Sequence, residues 1–270
     1  MSGMSPSSAP TREPSVLPAP RDGIAGAAPY GAPQLPVAHA LNVNENPYGP
    51  SAELAAAIGA AAAEAAVGLN RYPDREALDL RRELGEYLAA ESGVPAPPAE
   101  AVWAANGSNE VMHQLLLAYG GPGRTALGFT PHYSMYPEYA RDTYTGWVTA
   151  ERGPAPDFAL TAQTVTAAIS EHRPSIVILT SPNNPTGTAL DLEVARAAAR
   201  ALEPVRGLLV IDEAHGEFRR DGVPSALTLL PEQSNLVVAR TMSKAFALAG
   251  ARLGYLVARS EDTRLNSSHD

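Results

Sequence analysis

The sequence predicts an α/β fold: a mainly parallel sheet sandwiched by helices. Three observations predict it. From residue 101 onward, short apolar runs alternate with helical stretches, the spacing of parallel strands joined by crossover helices. The runs are dense in Val, Ile and Leu instead of alternating apolar with polar, as strands covered on both faces require. Polar residues gather at one end of those runs: GSNE follows AVWAAN, SPNNPTGT follows SIVILT, DEAHGEF follows GLLVI, and RTMSK follows NLVVA. In open parallel sheets ligands sit beyond the carboxyl ends of the strands, so the four polar loops face one pocket.

The elements follow in chain order. Residues 1–40 are Pro, Ala, Ser and Gly with hardly a large apolar side chain; such a segment cannot offset its ordering entropy and is expected to be a mobile arm. Pro47, Gly49 and Pro50 force a turn in LNVNENPYGP, after which Ser51 can cap an alanine-rich helix from about Glu53 to Val67. A second helix, about Arg75 to Glu91, carries Leu78, Leu84 and Leu88 at helical spacing and stops at Ser-Gly. AVWAAN, TALGFT, GWVTA, SIVILT, GLLVIDEA and NLVVAR each read as a strand buried on both faces, with helices over 109–119, 134–141, 161–172 and 190–203. The chain carries no internal repeat.

Composition narrows the function classes. With 270 residues, 45 % hydrophobic and 18 % charged, the chain has the proportions of a soluble globular protein. No run reaches the roughly 18 apolar residues of a spanning helix, and no basic segment precedes an apolar core as in a secretory signal, which makes the cytoplasm the default expectation. The sequence has no cysteine, which excludes disulfides, thiolate catalysis and cysteine-ligated metal centres; no metal site is assigned. A net charge of -9 without a basic block argues against nucleic acid as a partner.

The chemistry concentrates around Lys244, the only lysine of the chain. A coding bias toward arginine can leave one lysine anywhere; the alternative is a reaction that needs a primary amine, which a guanidinium cannot supply. Asp212 follows four apolar residues, so its carboxylate lies at the mouth of a buried strand and needs a cationic partner. Taken alone it also reads as a capping residue at a strand-to-loop junction. An amine whose pKa is lowered can condense with a carbonyl, and Lys244 with Asp212 suggests a Schiff base beside a carboxylate. Gly107, Ser108 and Asn109 open a helix directly after a strand, where backbone N–H groups and the helix dipole favour a phosphate, although Ser and Asn are also common helix caps. Thr241, Ser243 and Arg252 flank the lysine and can serve the same phosphate; Arg252 alone also reads as a surface arginine. Neither a P-loop nor G-x-G-x-x-G occurs, which disfavours ordinary nucleotide binding.

LNVNENPYGP, LNRYPD, NGSNEV, TPHYSMY, TSPNNPTGT, VIDEAHGEF and RTMSKAFALAGARLGY, in this order over about residues 41–259, resemble the fold-type-I pyridoxal-phosphate enzymes, and among them the histidinol-phosphate branch of the class I/II aminotransferases. The resemblance implies a seven-stranded-type large domain over 41–259, pyridoxal 5'-phosphate as cofactor, a small-molecule amino donor and a 2-oxo acid such as 2-oxoglutarate as substrates, and a homodimer. By the same resemblance Lys244 carries the cofactor covalently and shuttles the proton, and Asp212 pairs with the pyridine nitrogen. Asn184 reaches the ring's phenolic oxygen, and Tyr133 stacks on the ring. Gly107, Ser108, Asn109, Thr241, Ser243 and Arg252 serve the phosphate. Tyr72 reaches the partner subunit's phosphate site, and Tyr48 lies on the substrate side; for both tyrosines the other reading is core or turn packing.

Two departures accompany the resemblance. His215 stands where the family usually has a tyrosine that donates to the phenolic oxygen; an imidazole can make that bond but is shorter and titrates near pH 6.5, and a merely satisfied histidine is the other reading. The family pattern stops near Arg259, so the small C-terminal domain, with the arginine that grips the substrate carboxylate, is expected to be largely missing and 260–270 to be a non-family tail. The rival functions are a decarboxylase of an amino-acid phosphate and a truncated, inactive cofactor-binding fragment.

Overall fold

The computed structural model describes residues 18–26, 31, 33, 35–38 and 41–259. The chain divides into two compact units, Met1–Gly31 and Ala32–Asp270. In the first a turn is described, with Ile24 N donating to Arg21 O at 3.1 Å. The expected arm over 1–40 lies largely, and the expected tail over 260–270 wholly, outside the described residues.

The second unit is built on one seven-stranded sheet in the order β1-β7-β6-β5-β4-β2-β3. The strands are β1 (Val102–Ala105), β2 (Thr125–Thr130), β3 (Gly146–Glu151), β4 (Ile176–Thr180), β5 (Leu208–Asp212), β6 (Leu236–Thr241) and β7 (Gly254–Val257). Neighbours from β3 to β6 pair in parallel, while β7 runs antiparallel to β6 and β1. The six expected strands are present. The seventh, β7, is hidden in sequence because GYLV is four residues long and closes the lysine segment without a turn signal of its own.

The helices are α1 (Ala52–Ala66), α2 (Leu78–Ser92), α3 (Ser108–Tyr119), α4 (Tyr136–Asp142), α5 (Ala162–His172) and α6 (Leu192–Leu202). Ser51 caps α1, its side chain accepting from Leu54 N at 3.1 Å, as the sequence predicts. The second helix starts three residues later than expected. The Asp74 carboxylate accepts from Glu76 N and Leu78 N at 3.1 and 3.3 Å, so 74–77 is held as an Asx-type turn instead of a helical one. Leu78 is thereby exposed, and Leu84 and Leu88 carry the buried face together with Arg81. The helix ends at Gly93 with φ 66°, the left-handed terminus that glycine supplies without strain.

The strand period of two divides the core into two layers. Val177 and Leu179, Leu209 and Ile211, Leu236 and Val238, and Tyr255 and Val257 face the layer that holds α2, α5 and α6. Ile176 and Ile178, Leu208 and Val210, and Val237 and Ala239 face the layer that holds α3 and α4. Strands β4, β5 and β6 are buried throughout, as expected of double coverage. The expectation fails at the sheet margins: β1 and β3 are only partly buried, because each has a neighbour on one side only and the helical layers thin out there. Among the described residues, no helix is long and apolar enough to cross a membrane.

Candidate functional site

The carboxyl ends of β4, β5 and β6 bring the polar loops to one edge of the sheet. On β5 the alternation that sends Leu208 and Val210 toward α3 and α4 sends Asp212 the same way, and on β6 it does the same for Thr241, two residues beyond Ala239. Asp212 is buried. Its Oδ2 accepts from the Tyr136 hydroxyl at 2.7 Å, Tyr136 contacts the Thr180 hydroxyl at 2.8 Å, and Oδ1 accepts from Ala214 N at 2.9 Å. Burial pushes the Asp212 carboxyl above its ordinary value; the Tyr136 bond and the Ala214 N–H oppose the rise.

Lys244 lies three residues beyond Thr241, the last residue of β6, in the loop that leads to β7. Its Nζ donates to the carbonyls of Val43 and Asn44 at 3.0 and 3.1 Å. Asn46 grips the same loop, its Nδ2 donating to the carbonyls of Lys244 and Ala245 at 3.4 and 3.3 Å. Burial lowers the Lys244 amine below the usual lysine value, while Glu45 and Asp212 hold it up in part. At Asp212 and Lys244 alike, desolvation outweighs mutual attraction, so both shifts run toward the uncharged forms. His215 belongs to the same electrostatic group: burial, and then the Lys244 charge, lowers its imidazole.

Close backbone approach assembles the phosphate-type residues. A Cβ on Gly254 would stand 2.1 Å from Ser108 N, so only glycine lets the start of β7 lie against the first turn of α3. Gly107 has φ 92°, and a Cβ there would meet the Arg252 guanidinium at 2.3 Å. Arg252 donates to Asn106 O at 3.4 Å, which sets its exposed guanidinium beside the N-terminus of α3. Thr241 Oγ1 is 3.0 Å from Ser243 Oγ, accepts from Ser243 N at 3.2 Å and donates to Leu253 O at 3.4 Å. Gly107, Ser108, Asn109, Thr241, Ser243 and Arg252 thus occupy one neighbourhood. Within it the Glu110 carboxylate accepts from Asn106 N at 2.6 Å.

Tyr133 packs edge-on to Tyr136, ring centres 5.5 Å apart, and Tyr136 in turn bonds Asp212. Asn184 and His215 line a cleft of about 880 Å³ together with Asn44, Glu45, Thr186 and Arg220. The cleft lining does not include Lys244, Asp212 or the α3 terminus; it opens beside the lysine through Asn44 and His215. Two predicted residues are not brought in. Tyr48 is 80 % exposed and Tyr72 is fully exposed, and neither is bonded through its side chain to the groups above. Sequence reasoning missed Tyr136, Thr180 and Asn46. Tyr136 sat in plain view in TPHYSMY, but its partner is 76 positions away, and nothing local reveals such a pairing.

Comparisons with known proteins place the chain in a family. Residues 39–266 match the family "Aminotransferase class I and II". The histidinol-phosphate aminotransferase of Thermobifida fusca (strain YX) is 60 % identical over 238 residues, 88 % of this chain and 62 % of the relative. That of Frankia casuarinae is 59 % identical over 239 residues, 88 % of this chain and 59 % of the relative. Thus the chain spans about 60 % of the length of the curated relatives it matches. Among solved structures, histidinol-phosphate aminotransferase from Sinorhizobium meliloti in complex with pyridoxal-5'-phosphate superposes with a TM-score of 0.68 at 26 % identity, over 82 % of this chain and 56 % of that one. Aspartate aminotransferase from Thermus thermophilus with maleate gives 0.71 at 25 % identity, over 83 % and 58 %. The chain belongs to the class I and II aminotransferases.

Proposed function

We propose that the protein is a pyridoxal-phosphate-dependent aminotransferase that passes an amino group between an amino phosphate of the histidinol-phosphate type and 2-oxoglutarate. The observation that carries this reading is the placement of Lys244. The sole primary amine among the side chains lies half-buried and coupled to the buried Asp212, on the same sheet edge as a helix N-terminus flanked by a guanidinium. The residues fit the cofactor at both ends. Asp212, raised by burial and lacking a basic hydrogen-bond partner among the bonds above, is suited to hold a pyridinium proton. Ser108, Thr241, Ser243, Arg252 and the α3 terminus are suited to a phosphate.

Bound there, pyridoxal phosphate supplies an electron-withdrawing ring that stabilises negative charge at the substrate's α carbon. The chain's residues supply the rest. Lys244 Nζ is the attachment point for the aldehyde, and its lowered pKa raises the fraction of free amine at neutral pH. The same amine would be the base that moves a proton at the substrate's α carbon. Asp212 would hold the proton of the ring nitrogen, Tyr136 and Ala214 N orient that carboxylate, and Tyr133 would be the residue to pack against the ring. Asn184 and His215, both at the cleft, serve the phenolic oxygen. His215 is held neutral by burial and by Lys244, so it acts as a neutral donor in place of a tyrosine. Tyr48, exposed in the single chain, is assigned to the substrate side by the family resemblance alone.

The same reading makes the protein a cytoplasmic homodimer in which Tyr72 reaches the partner subunit's phosphate site. The fully exposed Tyr72 and the exposed Val67 and Leu69 beside it support a covering copy, and a chain without cysteine suits a reducing compartment. The test is spectroscopic. Pyridoxal phosphate is expected to give a visible absorbance band, histidinol phosphate to shift that band to the near ultraviolet, and 2-oxoglutarate to restore it with formation of glutamate. A band that neither substrate moves would refute transfer by this chain, and carbon dioxide released from an amino-acid phosphate would identify a decarboxylase instead.

A further inference from the structure

On the opposite face of the same strand ends lies a second buried cluster that the proposed chemistry does not use. Glu213 follows Asp212, and Arg240 precedes Thr241, so the strand alternation sends both toward α2 and α6. Arg240 is fully buried and Glu213 nearly so. Arg240 Nε donates to Glu213 Oε2 at 2.9 Å, and Nη2 stands in ion-pair contact with the same oxygen at 2.7 Å. The remaining acceptor capacity of Glu213 is met by Ser225 Oγ at 2.7 Å and Ala226 N at 2.7 Å. Arg240 also donates to Glu217 at 3.0 Å and Glu91 at 3.2 Å. Arg219 donates to Glu91 at 2.6 Å, and the Tyr87 hydroxyl to Glu217 at 3.1 Å. The Tyr87 ring meets Phe246, two residues past Lys244, edge-on at 5.2 Å. The cluster therefore ties α2, the loop after β5, β6 and the lysine loop to one guanidinium.

We infer that Arg240, through Glu213, is a positioning residue that fixes the separation between the ring end of the cofactor site at Asp212 and its phosphate end at Thr241 and Ser243. The inference rests on the cofactor reading above. Each member of the Glu213–Arg240 pair is bonded in the chain to one member of the Asp212–Thr241 pair, and the two strands stand in the register Asp212 opposite Ala239. A planar guanidinium held to one carboxylate oxygen by a hydrogen bond and an ion-pair contact cannot slide along the strands without losing both. Glu217 at Nη1 and Glu91 at Nη2 hold the same guanidinium from other directions, which prevents it from turning with Glu213. A ligand that grips both ends gains from their fixed spacing, since its second contact is made at high effective concentration. A ligand that grips one end gains nothing from it.

That difference supplies the test. Dissociation constants are measured for pyridoxal phosphate, which spans both ends, for pyridoxal, and for inorganic phosphate by competition, on the parent chain, Glu213→Gln and Arg240→Lys. Leu202→Ala, a buried change in α6 outside the cluster, serves as a control for lost stability. In both cluster variants pyridoxal phosphate is expected to weaken about tenfold while pyridoxal and phosphate each change less than about twofold; Leu202→Ala keeps all three within about twofold. If one cluster variant does not fold, the other carries the measurement. If neither folds, the milder Glu217→Gln, at the more exposed edge of the cluster, carries it with an expected loss of about threefold in pyridoxal phosphate alone. Parallel weakening of all three ligands, or no change in pyridoxal phosphate, overturns the inference. Failure of the parent chain to bind pyridoxal phosphate through Lys244 overturns the cofactor reading instead.

Discussion

Asp212 and Glu213 are consecutive carboxylates at the end of one strand, both buried, and the fold treats them in opposite ways. Glu213 turns toward α2 and α6, where a guanidinium, a hydroxyl and a backbone N–H saturate it. Asp212 turns toward α3 and α4, where it receives one phenol and one backbone N–H, and the partly buried Lys244 adds a cationic influence that does not outweigh its burial. A saturated ion pair holds position; an under-compensated carboxylate retains the capacity to take a cation or a proton. The strand period of two separates the two tasks by a single residue, so the site keeps a reactive face and a rigid back.

The sharpest way to break this comparison is at the reactive face. Lys244→Ala is expected to abolish covalent attachment of pyridoxal phosphate, leaving no borohydride-reducible adduct; an adduct surviving in that variant, seen by mass spectrometry, would move the chemistry elsewhere. The largest stability effect belongs to the back. Glu213→Ala leaves the Arg240 guanidinium buried without its principal partner and is expected to cost about 3–5 kcal/mol in urea unfolding, whereas a loss below about 1 kcal/mol would show that the cluster is not closed as described.

Asp212→Asn is the matched experiment on the neighbour. It removes an uncompensated buried charge while keeping the shape, so the cofactor-free chain is expected to lose no stability at pH 7, while turnover falls roughly a hundredfold. The sign follows from the raised carboxyl. Its folded-state pKa lies above the ordinary 3.8, so its stabilising effect is complete below 3.8 and is lost as pH rises through the folded value. Asp212→Asn should flatten the stability profile across that window, and an unchanged profile would assign the slope to other carboxylates. The smallest effect is expected of Tyr136→Phe, about 1 kcal/mol for the lost hydrogen bonds. The Asp212 carboxyl should then move further up, since the phenol is what opposes its rise; carboxyl chemical shifts read in a pH titration would show it.

Much of the site was legible because its parts lie in short contiguous stretches. RTMSKAFALAGARLGY holds the lysine, two hydroxyls, Arg252 and Gly254, and VIDEAHGEF holds Asp212, His215 and two carboxylate partners of Arg240, Glu213 and Glu217. What stayed illegible depends on pairing across sequence distance. Tyr136 reaches Asp212 over 76 positions, Asn46 reaches Lys244 over 198, and Arg240 reaches Glu91 over 149. The later start of α2 was missed for a local reason: Asp74 competes for the backbone N–H groups that a helical turn would have used.

By itself the sequence determined the class of fold and the kinds of chemical group, because apolar runs of strand length, caps and turns act through neighbours a few residues apart. Only the tertiary structure decided which carboxylate stays open and which is saturated. Strand alternation sets the side on which each faces, but the charge it meets there arrives from helices and loops far along the chain. Desolvation, which lowers the Lys244 amine and raises the Asp212 carboxyl, exists only once those elements have closed over the strand ends.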